Sequence, residues 1–158
     1  MPETIASRLS ALGHRLPEAS APAANYVSTV RTGNLLVVSG QISVRNGDVL
    51  TGAVGAEASI EEGRLAAECA AISVLSQIAA ATDGSLAAVR RVVRLGVFIA
   101  STPDFAEQSQ VANGASDLFV EVFGEAGRHA RAAVGVAALP AGSTVEIDAL
   151  VEMEPVAS

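Results

Sequence analysis

Apolar residues recur three and four positions apart at Ile5, Leu9, Leu12 and Leu16, a spacing that predicts an amphipathic helix over residues 3–13. The stretch Pro17–Asn25, PEASAPAAN, breaks that rhythm and reads as a loop. From Tyr26 the pattern becomes short apolar runs punctuated by turn residues. Tyr26–Arg31 and Leu35–Ser39 read as strands around a tight turn at Thr32-Gly33-Asn34. Ile42–Arg45 reads as a further strand, with Asn46-Gly47 as a hairpin turn.

Ser59-Ile60-Glu61-Glu62 has the form of a capping box, in which the serine hydroxyl and the later glutamate each satisfy a free backbone N–H of the other. A helix is expected from there to about Ala81, closed by Asp83-Gly84. Leu65, Cys69, Ile72, Leu75 and Ile78 form its apolar stripe, and Glu61, Arg64 and Glu68 its wet face. Val89–Ile99, VRRVVRLGVFI, is rich in β-branched residues and reads as a strand. Thr102-Pro103 predicts the start of a second long helix, with threonine as cap and proline in the first turn. Phe105, Ala112, Ala115, Phe119 and Val122 line one side of it. Ala130–Val151 reads as a closing hairpin around the turn Leu139–Thr144. The order helix, three strands, helix, strand, helix, two strands describes an α+β fold: a mixed sheet with two main helices packed on one face.

At 158 residues the chain is read as a single domain, 1–158. Half of the residues are hydrophobic, yet aromatics make up only 3% and tryptophan is absent. The apolar content is therefore small-bodied, which suits close packing of elements and of subunits; an oligomer is expected. The net charge of −7 argues against an extended nucleic-acid footprint. One cysteine, Cys69, excludes an intrachain disulfide and is read as a small buried hydrophobe; a cytoplasmic setting is expected. Glu3, Arg8, His14 and Arg15 interrupt the N-terminal segment, so it does not resemble a signal peptide, and no run of apolar residues suggests a membrane span.

Little in the chain suggests familiar catalytic apparatus. His14 and His129 are far apart and outside any ligand spacing, so no metal is expected. There is no G-x-S-x-G, and GAVGAEAS lacks the glycine spacing of a dinucleotide loop, so no cofactor is expected. The closing strands remain. By alternation Arg131 shares a face with Ala133, Gly135 and Ala137, leaving Ala132, Val134 and Val136 to point toward the helix layer. Val145, Ile147, Ala149 and Val151 form the core face of the last strand, with Glu146, Asp148, Leu150 and Glu152 opposite. A guanidinium is a planar fork that matches a carboxylate with two parallel hydrogen bonds. Arg131 could dock a small acid while Glu146 polarises a water. The same residues also fit an ordinary cross-strand ion pair on a solvated sheet face.

Three stretches carry a family resemblance: YVSTVRTGNLLVVSGQISV, PDFAEQSQVANGASDLFVEVFG and ARAAVGVAALPAGSTVEIDAL. Together, in this order, they resemble the Rid (YjgF) family of reactive-intermediate imine deaminases, over about Tyr26–Met153. The resemblance implies a chorismate-mutase-like α+β fold and a homotrimer whose sheets form a central barrel with clefts between subunits. It implies hydrolysis of a short 2-imino or enamine acid to a 2-oxo acid and ammonia, with no cofactor, no nucleic acid and no membrane. It also implies roles: Arg131 for the substrate carboxylate, Glu146 for the catalytic water, and Tyr26, Gly40 and Asn113 lining the cleft, Tyr26 from a neighbouring subunit. The chain departs from the family at Ala132-Ala133, where Ser-Cys is common, and at His129, where proline is usual. Residues 1–16 form an extra N-terminal helix, 17–25 a loop, and the segment around 51–60 is longer. A divergent subgroup is indicated. Two alternatives stay open: a non-catalytic small-carboxylate binding module on the same scaffold, and an endoribonuclease. The acidic chain, the few aromatics and the lack of a histidine pair weigh against the second.

Overall fold

The computed structural model describes residues 2–156. Helix α1, Ile5–Ala11, is shorter than the apolar spacing suggested, because Thr4 and Ser7 form a reciprocal capping box that fixes its start. Ile5 and Leu9 are fully buried, and Leu12 and Leu16 pack against the core. Strands β1 (Thr29–Thr32) and β2 (Leu35–Ile42) form the first antiparallel pair. Tyr26 and Val27 lie outside β1, exposed, in contrast to the expected strand from Tyr26. β2 runs on past Ser39 through a bulge between Val38 and Gln41. A small hairpin, β3 (Val44–Arg45) and β4 (Asp48–Val49), turns at Asn46-Gly47, both at positive φ as a tight hairpin requires.

Helix α2, Ile60–Ala81, starts at the Ser59–Glu62 capping box and ends before Asp83-Gly84, both at positive φ. Cys69, Leu75 and Ile78 of the expected stripe are buried, and the buried face is broader than that stripe, taking in Ala66, Ala67, Ala70, Ala71 and Val74. Leu65 and Ile72 are only half buried. Small side chains occupy the centre because α3 crosses close there: a Cβ on Gly114 would sit 2.2 Å from the Arg64 carbonyl oxygen. In length and hydropathy α2 would suit a membrane, but it is the packed central helix of this fold.

Strand β5 (Val89–Ala100) matches the β-branched run. Helix α3, Gln108–Phe123, starts five residues later than Thr102-Pro103 predicted. The backbone N–H of Thr102 is tied to the Val54 carbonyl (3.1 Å) in a bridge along the end of β5, so the chain turns before it can coil. Strands β6 (Ala130–Val136) and β7 (Val145–Met153) complete the main sheet, in the order β1-β2-β7-β5-β6. β6 and β7 are not a hairpin. β5 lies between them, parallel to β6 and antiparallel to β7. Its end is gripped from both sides, Ala100 N–H by Thr144 O (2.9 Å) and Ser101 N–H by Val136 O (3.2 Å). The helices cover one sheet face, and Leu36, Val38, Leu95, Val97, Ile99, Ile147 and Val151 meet them in the core.

Candidate functional site

Arg131 lies on the helix side of the sheet, not on the open side. It pairs in register with the fully buried Leu95, and Ala133 and Gly135 follow beside Val97 and Ile99. The opposite set, Ala132, Val134 and Val136, faces outward, and Val134 is 44% exposed. The face assignment drawn from alternation alone is thus reversed, because the strand order makes β6 an edge continuing the β5 surface.

The guanidinium rests on one stripe of α3. Nη1 donates to Asn113 Oδ1 (2.8 Å) and Ser116 Oγ (2.9 Å), and Nη2 donates to the Ser109 carbonyl (3.0 Å). Residues 109, 113 and 116 are four and three apart, so one helix face presents all three acceptors. Of the five guanidinium N–H groups, those three bonds leave Nε–H and one Nη2–H without a partner among the described residues. Unpartnered guanidinium N–H groups of this kind are the donors that a carboxylate can satisfy. Among the described residues no carboxylate stands within ion-pair distance of Arg131. Further along β6 the space is taken by polar side chains: a Cβ at Gly135 would lie 2.5 Å from Ser101 Oγ and 3.0 Å from Gln108 Nε2.

Glu146 occupies the other face. It pairs in register with Phe98 and Ile42, while Val145 and Ile147 on either side are fully buried. From Arg131 it is two strands away and three residues further along β5, each about 10 Å, on opposite sides of the sheet. One protomer therefore does not bring the pair together, and a cross-strand Arg131–Glu146 ion pair is ruled out. Gly40 does adjoin Glu146: at the β2 bulge, a Cβ on it would fall 2.4 Å from Glu146 Oε1. Burial, then the neighbouring Asp148 charge, pushes the Glu146 carboxyl above its ordinary value. Asp148 itself stands 3.8 Å from Arg94.

The candidate residues thus fall into two clusters. Asn113 joins Arg131 between α3 and β6. Gly40 joins Glu146 between β2 and β7. Tyr26 goes with the second, since Ser39 Oγ donates to the adjoining Val27 carbonyl (2.7 Å) beside Gly40; its own ring is half exposed and its hydroxyl accepts from Ala23 N–H (3.3 Å). A groove of about 700 Å³ between the segment after α1, α2 and the β3–β4 hairpin contains neither cluster. Sequence reading missed Ser109, Ser116 and His129. Ser109 and Ser116 carried a signal in their spacing from Asn113; His129 carried one in its place two residues before Arg131.

Comparison with known proteins agrees with this architecture. The profile of the family described as "YjgF/chorismate mutase-like, putative endoribonuclease" matches residues 6–153. Protein TCP17 of Trypanosoma cruzi is 55% identical over 151 residues, 94% of each chain. The 2-iminobutanoate/2-iminopropanoate deaminase of Dermatophagoides farinae is 30% identical over 140 residues, 87% of this chain and 93% of that one. The crystal structure of protein Atu1372 from Agrobacterium tumefaciens, 49% identical, superposes with a TM-score of 0.89 over 95% of this chain and 92% of its own. With the mixed sheet, the two main helices on one face and this match along nearly the whole chain, the protein belongs to the YjgF/Rid family.

Proposed function

We propose that the protein hydrolyses a short 2-imino acid to the 2-oxo acid and ammonia, in clefts between the protomers of a homotrimer. The observation that carries this reading is the Arg131 guanidinium, held in place by three hydrogen bonds, with two N–H groups left over and no acidic partner among the described residues. Such a group suits a carboxylate. The deaminase name of the mite relative supplies the substrate class. Arg131 holds the carboxylate and orients the imine carbon, and Asn113 steadies the guanidinium. Glu146 of a neighbouring protomer, its carboxyl raised above its ordinary value, passes both water protons to the nitrogen in turn: the first as hydroxyl adds to the imine carbon, the second, taken from that hydroxyl, as the C–N bond breaks and ammonia leaves. Tyr26 and Gly40 shape the Glu146 side of the cleft. Apolar side chains on the uncovered sheet face, Val30, Leu35, Val37 and Val134, support self-association there.

A clamp and an oriented water can supply about 3 kcal/mol, on the order of a hundredfold in rate. The test is ammonia release from a freshly generated 2-imino acid. Wild type should outpace buffer by at least that factor, and Arg131→Ala should not. Binding of a 2-oxo acid with no acceleration would leave a carboxylate-binding module. RNA cleavage lost with neither variant nor competitor acid would sink the reading altogether.

A further inference from the structure

We infer that His129 and Ser116 form a relay that aims the Arg131 guanidinium, so that carboxylate binding at Arg131 depends on His129 in its neutral, Nδ1-protonated form. The inference rests on the carboxylate-binding reading above.

The geometry fixes the direction of each hydrogen bond. His129 Nδ1 lies 2.6 Å from the Gly127 carbonyl oxygen. A carbonyl only accepts, so Nδ1 carries the proton. In the neutral ring Nε2 is then an acceptor, 2.8 Å from Ser116 Oγ, and the serine O–H donates to it. With its proton committed, Ser116 Oγ offers a lone pair to Arg131 Nη1 at 2.9 Å. Nη1 is thus held by Ser116 and Asn113 together, which fixes the plane of the guanidinium and leaves its Nε–H and one Nη2–H for the carboxylate.

The surroundings keep the relay in that state. The His129 ring meets the fully buried Phe119 edge-on, with centroids 6.1 Å apart. Gly127 fits tightly under the end of α3: a Cβ there would lie 2.2 Å from the Phe119 carbonyl oxygen. Burial and the Arg131 charge disfavour imidazolium, against the opposing pull of the Gly127 carbonyl. The other charged groups nearby are engaged elsewhere, Glu125 with Arg128 and Arg91 with the Arg128 carbonyl.

The test has two parts on the full-length protein. The first is ¹⁵N NMR of the imidazoles; there are only two histidines, so His14→Gln assigns them. His129 should show a protonated Nδ1 and a bare Nε2 at pH 7.5, and the reverse tautomer would overturn the relay. The second measures pyruvate binding and KM against kcat. Ser116→Ala and His129→Phe should each raise Kd and KM about tenfold, as expected for weakening one hydrogen bond to a charged group, with kcat nearly unchanged. Ser116→Thr and His129→Gln, which restore the hydroxyl and an acceptor, should recover most of the loss. If Arg131→Ala loses pyruvate while Ser116→Ala and His129→Phe bind like wild type, the relay is wrong and the carboxylate site stands. If Arg131→Ala binds pyruvate normally, the carboxylate site itself is wrong. Rescue failing while both rescue variants melt at the wild-type temperature would also count against the relay.

Discussion

Gly114→Ala should loosen the fold and disarm Arg131 together. The added Cβ would sit 2.2 Å from the Arg64 carbonyl oxygen, 2.9 Å from its carbon and 3.1 Å from its Cα. All three atoms belong to the backbone of a 22-residue helix, so the obstacle has no rotamer to yield. Relief needs about 1 Å of separation between α2 and α3, an overpacking that costs about 3 kcal/mol. Alanine recovers about 1 kcal/mol through its higher helix propensity. The net loss, about 2 kcal/mol, corresponds to a melting-temperature drop of about 4–8 °C for a chain of this size. The same displacement moves Ser109, Asn113 and Ser116, whose bonds to Arg131 are 2.8–3.0 Å long and do not survive a further ångström. Calorimetry at one fixed protein concentration and pyruvate titration are the assays. Gly47→Ala, at φ +84 in the distant β3–β4 turn, is the control: it should lose stability without losing affinity. A Gly114→Ala protein as stable as wild type, with unchanged affinity, would refute the close helix crossing and its link to the site.

Three further outcomes follow from the packing and charge. Light scattering at micromolar concentration should give about three times the 15.9 kDa chain mass, and a persistent monomer would remove the shared cleft. Deleting residues 1–16 exposes the surface now covered by Ile5 and Leu9; at about 1.5–3 kcal/mol per buried side chain it should lower the melting temperature sharply or cause aggregation. Glu146→Gln should slow turnover at least tenfold yet leave the protein as stable or more so above neutral pH. The Glu146 carboxyl is raised in the folded state, so in wild type its contribution is most favourable below the ordinary carboxylate range and is lost as pH rises through the raised value; the amide removes that loss.

Local chemistry made much of this fold legible. The Ser59 box, the Asn46-Gly47 turn, the β-branched run of β5 and the alternation of β7 each specify their element through neighbours a few residues away. The misreadings are non-local. Thr102-Pro103 looks like a helix start, but the bridge from Val54 claims its backbone. The six residues from Leu139 to Thr144 look like a hairpin turn, but the end of β5 takes hydrogen bonds that β6 and β7 would otherwise share. A usable clue was present. β5, α3 and β6 form a strand–helix–strand unit, the arrangement that joins parallel strands, which would have set β6 beside β5 and Arg131 beneath α3. Arg131 and Glu146 stood out by residue type, whereas the faces they occupy depend on strand order.

That separation leads to a test of where the site is assembled. If each cleft takes Arg131 from one protomer and Glu146 from the next, Arg131→Ala and Glu146→Gln are defects in different halves of the site. Unfold the two impaired variants together at equal amounts and refold them, so that subunits mix at random. A cleft is intact when its arginine comes from a Glu146→Gln chain and its glutamate from an Arg131→Ala chain. Each condition is met half the time, so about a quarter of wild-type activity should return for a symmetric trimer. Each variant refolded alone supplies the baseline, and differently tagged chains co-purifying prove that mixing occurred. If one protomer supplied both residues, every cleft in the mixture would carry one defect and nothing would return. Mixed trimers that stay inactive would therefore overturn the shared cleft, while the strand order already sets Arg131 and Glu146 on opposite faces of each chain.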